Sequence, residues 1–321
     1  MVKLRREIRV ASAQVSGGLL DLDLSVNRLL EVLPRAAEEG VQLVVFPETF
    51  LGGYPYWRGH VDVVEETELA ARLHEHAVRT DSAIVAEIGS EAVRLGLTLI
   101  VGANEADTRM GSQTSYNSVF VFDPEVGFIG RRRKLIPTHT ERAYWGNGTS
   151  EDVRIFDTSV GSIGALICYE HHMLPAQLAL ALLGEQIHCA LWPGYWTTNS
   201  HIADKRPGLG TGDVEIDAIV RAYAMHSQNF VVSANAILRD GDIPDDIRPK
   251  LGYNLARGGS SIVDSSGRYL APPLADEEGL VIAEIGFESR SLTKAYVDTV
   301  GHYARWDIFD FRISGQSLTS S

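Results

Sequence analysis

Cysteine, positive charge and long apolar runs are all scarce in this chain, and each scarcity closes off a class of protein. Only Cys168 and Cys189 occur in 321 residues, so no disulfide framework beyond one bridge can staple the fold, and the chain reads as cytoplasmic. Lys and Arg number 29 against 42 Asp and Glu, a formal net charge of -13. A field of that sign repels phosphate, which opposes a general role on nucleic acid or anionic membrane. No apolar run reaches the roughly 18 residues that cross a bilayer. The basic N-terminus leads straight into strand-like sequence, with no apolar signal region. A low-complexity linker is also missing, so one domain over residues 1–321 is expected, with a short tail from about Arg312. These exclusions leave a small molecule or another protein as partner.

What is present is an alternation of short β-branched runs with longer helical patterns, the signature of an α/β sandwich. Ile8 to Ala13 reads as a strand. A helix follows, capped by Asp21 or Asp23, with Val26, Leu29, Leu30 and Leu33 on one face, Pro34 kinking it and Gly40 closing it. Val41 to Phe46 suits a strand buried on both faces that delivers Pro47-Glu48 at its carboxyl end. The same periodicities predict a helix over Ser82 to Leu95, a strand over Leu97 to Ala103, and a hairpin of Tyr116 to Phe122 with Phe128 onward. In the second half they predict strands at 162–167, 188–192, 230–235, 260–263 and 280–285, and helices at 176–183 and 214–228. Residues 194–212 and 239–259 read as long loops, the length of lids or interfaces.

Three positions stand out for chemistry. Cys168 lies where a buried strand ends and a turn begins, a place that can expose a thiol at the sheet edge and let amide dipoles and cations favour the thiolate. Cys189, inside a strand, fits a structural thiol. Glu48 follows Val44-Val45-Phe46-Pro47 at a strand's carboxyl end, where open α/β sheets bind ligands, and burial there would raise its pKa into the range of a usable base. Lys134 closes the run Arg131-Arg132-Arg133-Lys134. Alternation puts it on one face with Arg132, and only one of the two need enter a pocket, where an ammonium can stabilise an anionic tetrahedral intermediate.

Taken together, Phe46-Pro47-Glu48, Arg133-Lys134-Leu135-Ile136-Pro137-Thr138 and Ile167-Cys168-Tyr169-Glu170 resemble, in that order, the Glu-Lys-Cys constellation of the nitrilase superfamily, the carbon-nitrogen hydrolases. The resemblance spans Ile8 to about Phe311. It implies a four-layer α-β-β-α sandwich with Glu48 as general base, Lys134 as stabiliser of the intermediate, Cys168 as nucleophile and Glu141 as a second glutamate near it; on residue type alone Glu141 would simply pair with Arg142 or Arg133. No cofactor and no metal are implied. Homodimers are, built across helices near Cys168 and in the second half and often extended into spirals or filaments.

Within the superfamily, the stretch Arg133 to Gly148 resembles the nitrilase branch, as do Gly52-Gly53-Tyr54-Pro55-Tyr56-Trp57, Glu185-Gln186-Ile187-His188 and Trp192-Pro193-Gly194. That branch converts a nitrile to a carboxylic acid and ammonia. Tyr169 stands where nitrilases commonly carry Trp, and tyrosine there also occurs in amide-hydrolysing relatives, so an amidase or N-carbamoyl amine hydrolase is the alternative. Tyr54, Trp145, Tyr169, Trp192 and Pro193 lie beside the motifs and are the candidate pocket lining for a largely apolar substrate. Two rivals come from other classes: a metal-binding protein using Glu170, His171 and His172 or the His74-Glu75-His76 cluster, and a non-catalytic scaffold. Against the first, His74 and His76 are two residues apart rather than the four a helical site prefers. Retention of all four motif residues opposes the second.

Overall fold

The computed structural model of the chain describes residues 7–194, 212–251 and 256–319. Most of the 194–212 loop, and residues 252–255 of the other, lie outside the described residues. Strands mostly buried along their whole length build two six-stranded sheets. The first contains β1 (Glu7–Gln14), β2 (Leu43–Val45), β3 (Thr98–Ala106), β4 (Ser115–Asp123), β5 (Gly127–Arg133) and β12 (Gly279–Gly286), in the order β12-β1-β2-β3-β4-β5. The second contains β6 (Phe156–Thr158), β7 (Gly161–Ile167), β8 (Ile187–Trp192), β9 (Phe230–Asn235), β10 (Gly258–Val263) and β11 (Tyr269–Ala275), in the order β11-β10-β9-β8-β7-β6. Each sheet has a parallel centre, β1-β2-β3 in one and β7-β8-β9 in the other, flanked by antiparallel strands.

One apolar cluster joins Val10, Val45, Ile100 and Val121 of the first sheet to Ile163, Leu191 and Val232 of the second, so the sheets pack face to face. The opposite face of the first sheet buries Val44, Leu99 and Phe120 against Leu29 and Leu33 of α1 (Leu22–Glu38) and Ile88 and Ala92 of α3 (Ala83–Leu95). On the second sheet, α4 (Leu174–Leu182) and α5 (Gly212–Ser227) contribute Leu180, Val220 and Ala224 to the core. Helix, sheet, sheet and helix are the four layers expected.

The boundaries differ from expectation where local bonding outcompetes pattern. Asp21, not Asp23, caps α1, its side chain accepting from Leu24 N–H at 2.9 Å. Val41 donates back to the Ala36 carbonyl at 3.0 Å, closing the helix rather than opening the strand, so β2 is only three residues long. Besides the short β6, three longer elements went unpredicted. Helix α2 (Val63–Glu75) buries only Leu69 and Leu73 and so has almost no apolar stripe. Strand β11 contains Pro272 and Pro273, which a sheet tolerates because β11 is an edge strand. Helix α6 (Phe287–Tyr296) has no buried residue at all. A small hairpin of β13 (Arg312–Ile313) and β14 (Gln316–Ser317) follows in the tail. No helix among the described residues is long and apolar enough to cross a membrane.

Candidate active site

Three strand ends supply the three motif residues. Glu48 follows β2 in a turn that lies directly on β3. A Cβ added at Gly102 would stand 2.0 Å from the Pro47 carbonyl oxygen and 2.8 Å from Glu48 Cα, so only glycine lets the turn approach this closely. The next residue, Thr49, is left-handed with φ +45°. Lys134 extends β5 by one rung, its N–H donating to the Asn117 carbonyl at 2.7 Å. Cys168 ends β7 and opens a 3-10 turn over Cys168–His172, also left-handed at φ +52°. A non-glycine residue there costs roughly 1–3 kcal/mol, a strain found where surrounding bonds over-determine the backbone.

The side chains converge in the interior. Glu48, Lys134, Glu141 and Cys168 are all buried, with at most 3% of any exposed. Lys134 Nζ donates to Glu48 Oε1 at 3.0 Å and to Glu141 Oε2 at 2.8 Å. Asn117 Nδ2 donates to the same Glu48 oxygen at 2.6 Å. Glu141 is fixed further by Tyr54 Oη–H at 2.6 Å and the Thr138 N–H at 2.8 Å, and it pairs with neither Arg142 nor Arg133. Glu48 Oε2 and Asn117 Oδ1 have no partner among the described residues. Buried polar atoms are seldom left unpaired without a reason, and a site that receives a reactant is one.

The electrostatics divide the two glutamates. Burial raises the Glu48 carboxyl to about 7, with Lys134 opposing the rise and Glu141 adding to it. For Glu141, burial is outweighed by the Lys134 ammonium, so its carboxyl is lowered and stays ionised. Burial alone would push the Lys134 ammonium down, but the two carboxylates hold it up. Cys168 departs from expectation. It is buried rather than exposed, and burial, reinforced by Glu48 and only partly offset by Lys134, pushes its thiol well above the usual range. The resting sulfur is therefore a thiol, with a carboxyl that titrates near neutrality close enough to influence it.

A second ion pair, which sequence reasoning missed, locks the strand ends together. Arg132, on the same face of its strand as Lys134, is also buried, and its guanidinium forks onto the Glu170 carboxylate. That carboxylate accepts from Ile167 N–H at 2.8 Å and from Leu135 N–H at 2.7 Å. One glutamate thus ties the residue before Cys168 to the residue after Lys134. Both cations of the strand enter the interior, where the pattern called for only one.

The expected pocket residues scatter. Tyr54 lines a narrow cleft together with Glu48, Phe50, Tyr56, Ile237 and Leu238. Pro193 is tied to that cleft, its carbonyl accepting from Tyr56 Oη–H at 2.8 Å. Trp145 packs behind Tyr54, ring centroids 5.6 Å apart, and its Nε1–H donates to Asn104 Oδ1 at 2.9 Å. Trp192 stacks on His171 with centroids 4.6 Å apart. Tyr169 is 40% exposed and donates to Glu215 Oε2 of α5 at 2.9 Å, away from the carboxylates. Of the suggested metal ligands, His74 Nδ1 meets Ser115 Oγ at 2.7 Å and both nitrogens of His171 are engaged by Cys168 and His188. Asn117, which stands in no quoted motif, was not anticipated, and Tyr56, though inside the Gly52 to Trp57 stretch, was not singled out.

Comparison with known proteins identifies the family. The profile described as carbon-nitrogen hydrolase matches residues 9–295. An aliphatic nitrilase of Rhodococcus rhodochrous is 32% identical over 330 residues, covering 99% of this chain and 86% of the relative. A nitrilase of Paraburkholderia phymatum is 33% identical, covering 97% of this chain and 87% of the relative. Among solved structures, a carbon-nitrogen hydrolase from Helicobacter pylori superposes with a TM-score of 0.72 at 21% identity, covering 95% of this chain and 97% of that one, which speaks to the fold alone. With two packed sheets, buried glutamate, lysine and cysteine at three strand ends and a family match over nearly its whole length, the chain belongs to the carbon-nitrogen hydrolases.

Proposed function

We propose that this enzyme is a nitrilase, hydrolysing an organic nitrile to its carboxylic acid and ammonia through Cys168. The observation that carries the chemistry is the half-free Glu48: one oxygen held by Lys134 and Asn117, the other without a partner among the described residues, on a carboxyl that burial raises to about 7. A base with that pKa takes a proton efficiently at neutral pH. That the substrate is a nitrile is supported by the relatives named nitrilases, which match 95% or more of the chain.

Glu48 takes the Cys168 thiol proton as sulfur adds to the nitrile carbon, and the nitrogen is protonated in turn, giving a thioimidate. Lys134, held charged by two carboxylates, stabilises negative charge developing beside it. Water then adds with Glu48 as base, and loss of ammonia leaves a thioester. A second water releases the acid and restores the thiol, so two waters are consumed for each ammonia. Glu141 keeps Lys134 charged and in place. If the tetrahedral intermediate expels the thiol instead, an amide forms. The cleft at Glu48 is where the organic group is placed, between Phe50, Tyr54, Tyr56, Ile237 and Leu238.

Ammonia release from a panel of nitriles and their matching amides, with wild type and Cys168→Ala in parallel, tests the reading. Nitrile-dependent release that disappears in the variant is expected. Release from amides alone would assign the enzyme to amide hydrolysis, and release that persists in Cys168→Ala would remove Cys168 as nucleophile.

A homodimer is part of the same reading. An apolar hollow of about 590 Å³ between α4 and α5, lined by Leu174, Leu178, Ala181, Tyr223 and Val300, faces outward, with Leu174 69% exposed. Light scattering of Leu174→Glu against wild type tests it: a shift to monomer is expected.

A further inference from the structure

Behind the nucleophile lies a buried polar group that the proposed reaction does not use. Glu185, His188 and His171 are each at most 1% exposed. Glu185 Oε1 meets His188 Nδ1 at 2.7 Å, His188 Nε2 meets His171 Nε2 at 3.0 Å, and His171 Nδ1 meets the Cys168 carbonyl oxygen at 2.7 Å. Room for this chain is built into the backbone: Gly164 of β7 faces His188 across the sheet, and a Cβ there would stand 1.9 Å from Glu185 Oε1.

The three contacts can be counted in protons. The Cys168 carbonyl only accepts, so His171 Nδ1 must carry a hydrogen. Glu185 accepts from Tyr223 Oη–H at 2.6 Å and Asn229 Nδ2 at 3.0 Å on its other oxygen, the environment of an ionised carboxylate, so His188 Nδ1 must also carry one. Two neutral imidazoles then have no hydrogen left, and two lone pairs would face each other across 3.0 Å. The middle link exists only if one further proton lies between the two Nε2 atoms.

We infer that Glu185, His188 and His171 form a strut that holds the left-handed backbone of Cys168 in place, and that the strut carries one proton more than a carboxylate and two neutral imidazoles. The extra charge is balanced by the Glu185 carboxylate. It is also spread over aromatic faces, since His188 stacks on Tyr223 at 3.8 Å and His171 on Trp192 at 4.6 Å between centroids. The other titratable or charged groups facing the strut are Arg132, Arg290, His172 and Cys189. Burial first, and then the neighbouring His188, hold the His171 imidazole well below its usual range, so the hydrogen between the two rings is assigned from their 3.0 Å contact.

As pH rises and the shared proton leaves, the middle link breaks, and the Cys168 carbonyl loses its rigid support. These residues touch no reacting atom, so their role is positioning. The kinetic consequence rests on Cys168 being the nucleophile; the proton count does not.

Wild-type protein labelled with nitrogen-15 in its histidine rings tests the count at pH 7.5. Three nitrogen-bound ring hydrogens over His171 and His188 are expected, and two would overturn the inference. Kinetics test the strut. His188→Leu breaks it and is expected to lower kcat roughly tenfold or more with KM changed less than about twofold. His188→Gln places an amide N–H where Nε2–H stood, and is expected to recover most of that loss while abolishing the alkaline fall in kcat. Equal losses in the two variants, or an alkaline limb unchanged in His188→Gln, would reduce the group to packing. Should His188→Leu fail to fold, the wild-type spectrum and the His188→Gln profile still decide. Loss of all activity in Cys168→Ala is a separate question that neither outcome touches.

Discussion

Arg132 and Lys134 leave the same end of β5, and both are buried against carboxylates, but the two clusters are counted differently. Arg132 faces one glutamate, and every oxygen of Glu170 is used by the guanidinium or by the amides of Ile167 and Leu135. Lys134 faces two glutamates, and one oxygen of Glu48 has no partner among the described residues. A cation matched to one carboxylate neutralises it and fixes geometry. A cation shared between two can satisfy only one fully, and burial then lifts the other, Glu48, to about 7. The difference teaches that burial and ion pairing by themselves do not mark a working residue; the imbalance does.

The sharpest way to probe that contrast is to remove the imbalance. Glu48→Gln leaves Lys134 paired one-to-one with Glu141, in the manner of Arg132 and Glu170. It is expected to lower kcat by about 10²–10⁴-fold, the usual contribution of a general base. Stability should move the other way. The folded Glu48 carboxyl titrates at about 7, above its ordinary 4.5, so ionising it weighs on the native state as pH rises through that interval. Glu48→Gln should therefore unfold at a higher temperature than wild type above pH 7 and lose that advantage below about pH 4.5, read by thermal scans at both ends.

Breaking the balanced pair should do the opposite. Arg132→Met leaves Glu170 buried without its counter-ion and is expected to cost about 3–5 kcal/mol of stability by denaturant unfolding, whereas the Lys134 cluster itself is untouched. A loss below about 1 kcal/mol would mean that the pair is not the clamp described.

A smaller effect follows from the ionisation of Glu48 in wild type. As the proposed base, Glu48 must be unprotonated, so kcat/KM is expected to fall as pH drops through about 7, by about tenfold per unit well below it, on the side opposite the alkaline fall tied to the histidines. A profile flat down to pH 5 would contradict this. Smallest of all is Tyr54→Phe, which removes one of three groups holding Glu141. A cost of about 1 kcal/mol is expected, seen as a roughly fivefold drop in kcat/KM with little change in fold stability.

Much of the fold was legible because it depends on local pattern. The parallel strands β7, β8 and β9 lie within a residue of their expected limits, since continuous apolar runs bounded by turns leave little freedom. Helix α2 and strand β11 were not legible. The former buries two residues, and the latter carries prolines that only an edge position excuses. At the site, Glu48, Lys134 and Cys168 could be named because each ends a strand within a motif. Asn117 could not be given a place, because its meaning is a contact 69 positions away, and Tyr56, though inside a quoted stretch, takes its place from a contact 137 positions away.

By itself, then, the amino-acid sequence determined which residue types stand at which strand ends, since side-chain period and turn chemistry are properties of neighbours along the chain. Only the tertiary structure decided that the cysteine is buried rather than exposed, that Arg132 belongs to Glu170 and Lys134 to two glutamates, and that a glutamate and two histidines reach the carbonyl of Cys168. Desolvation and charge pairing depend on what surrounds a group in space, and those surroundings come into being only when the two sheets close on each other.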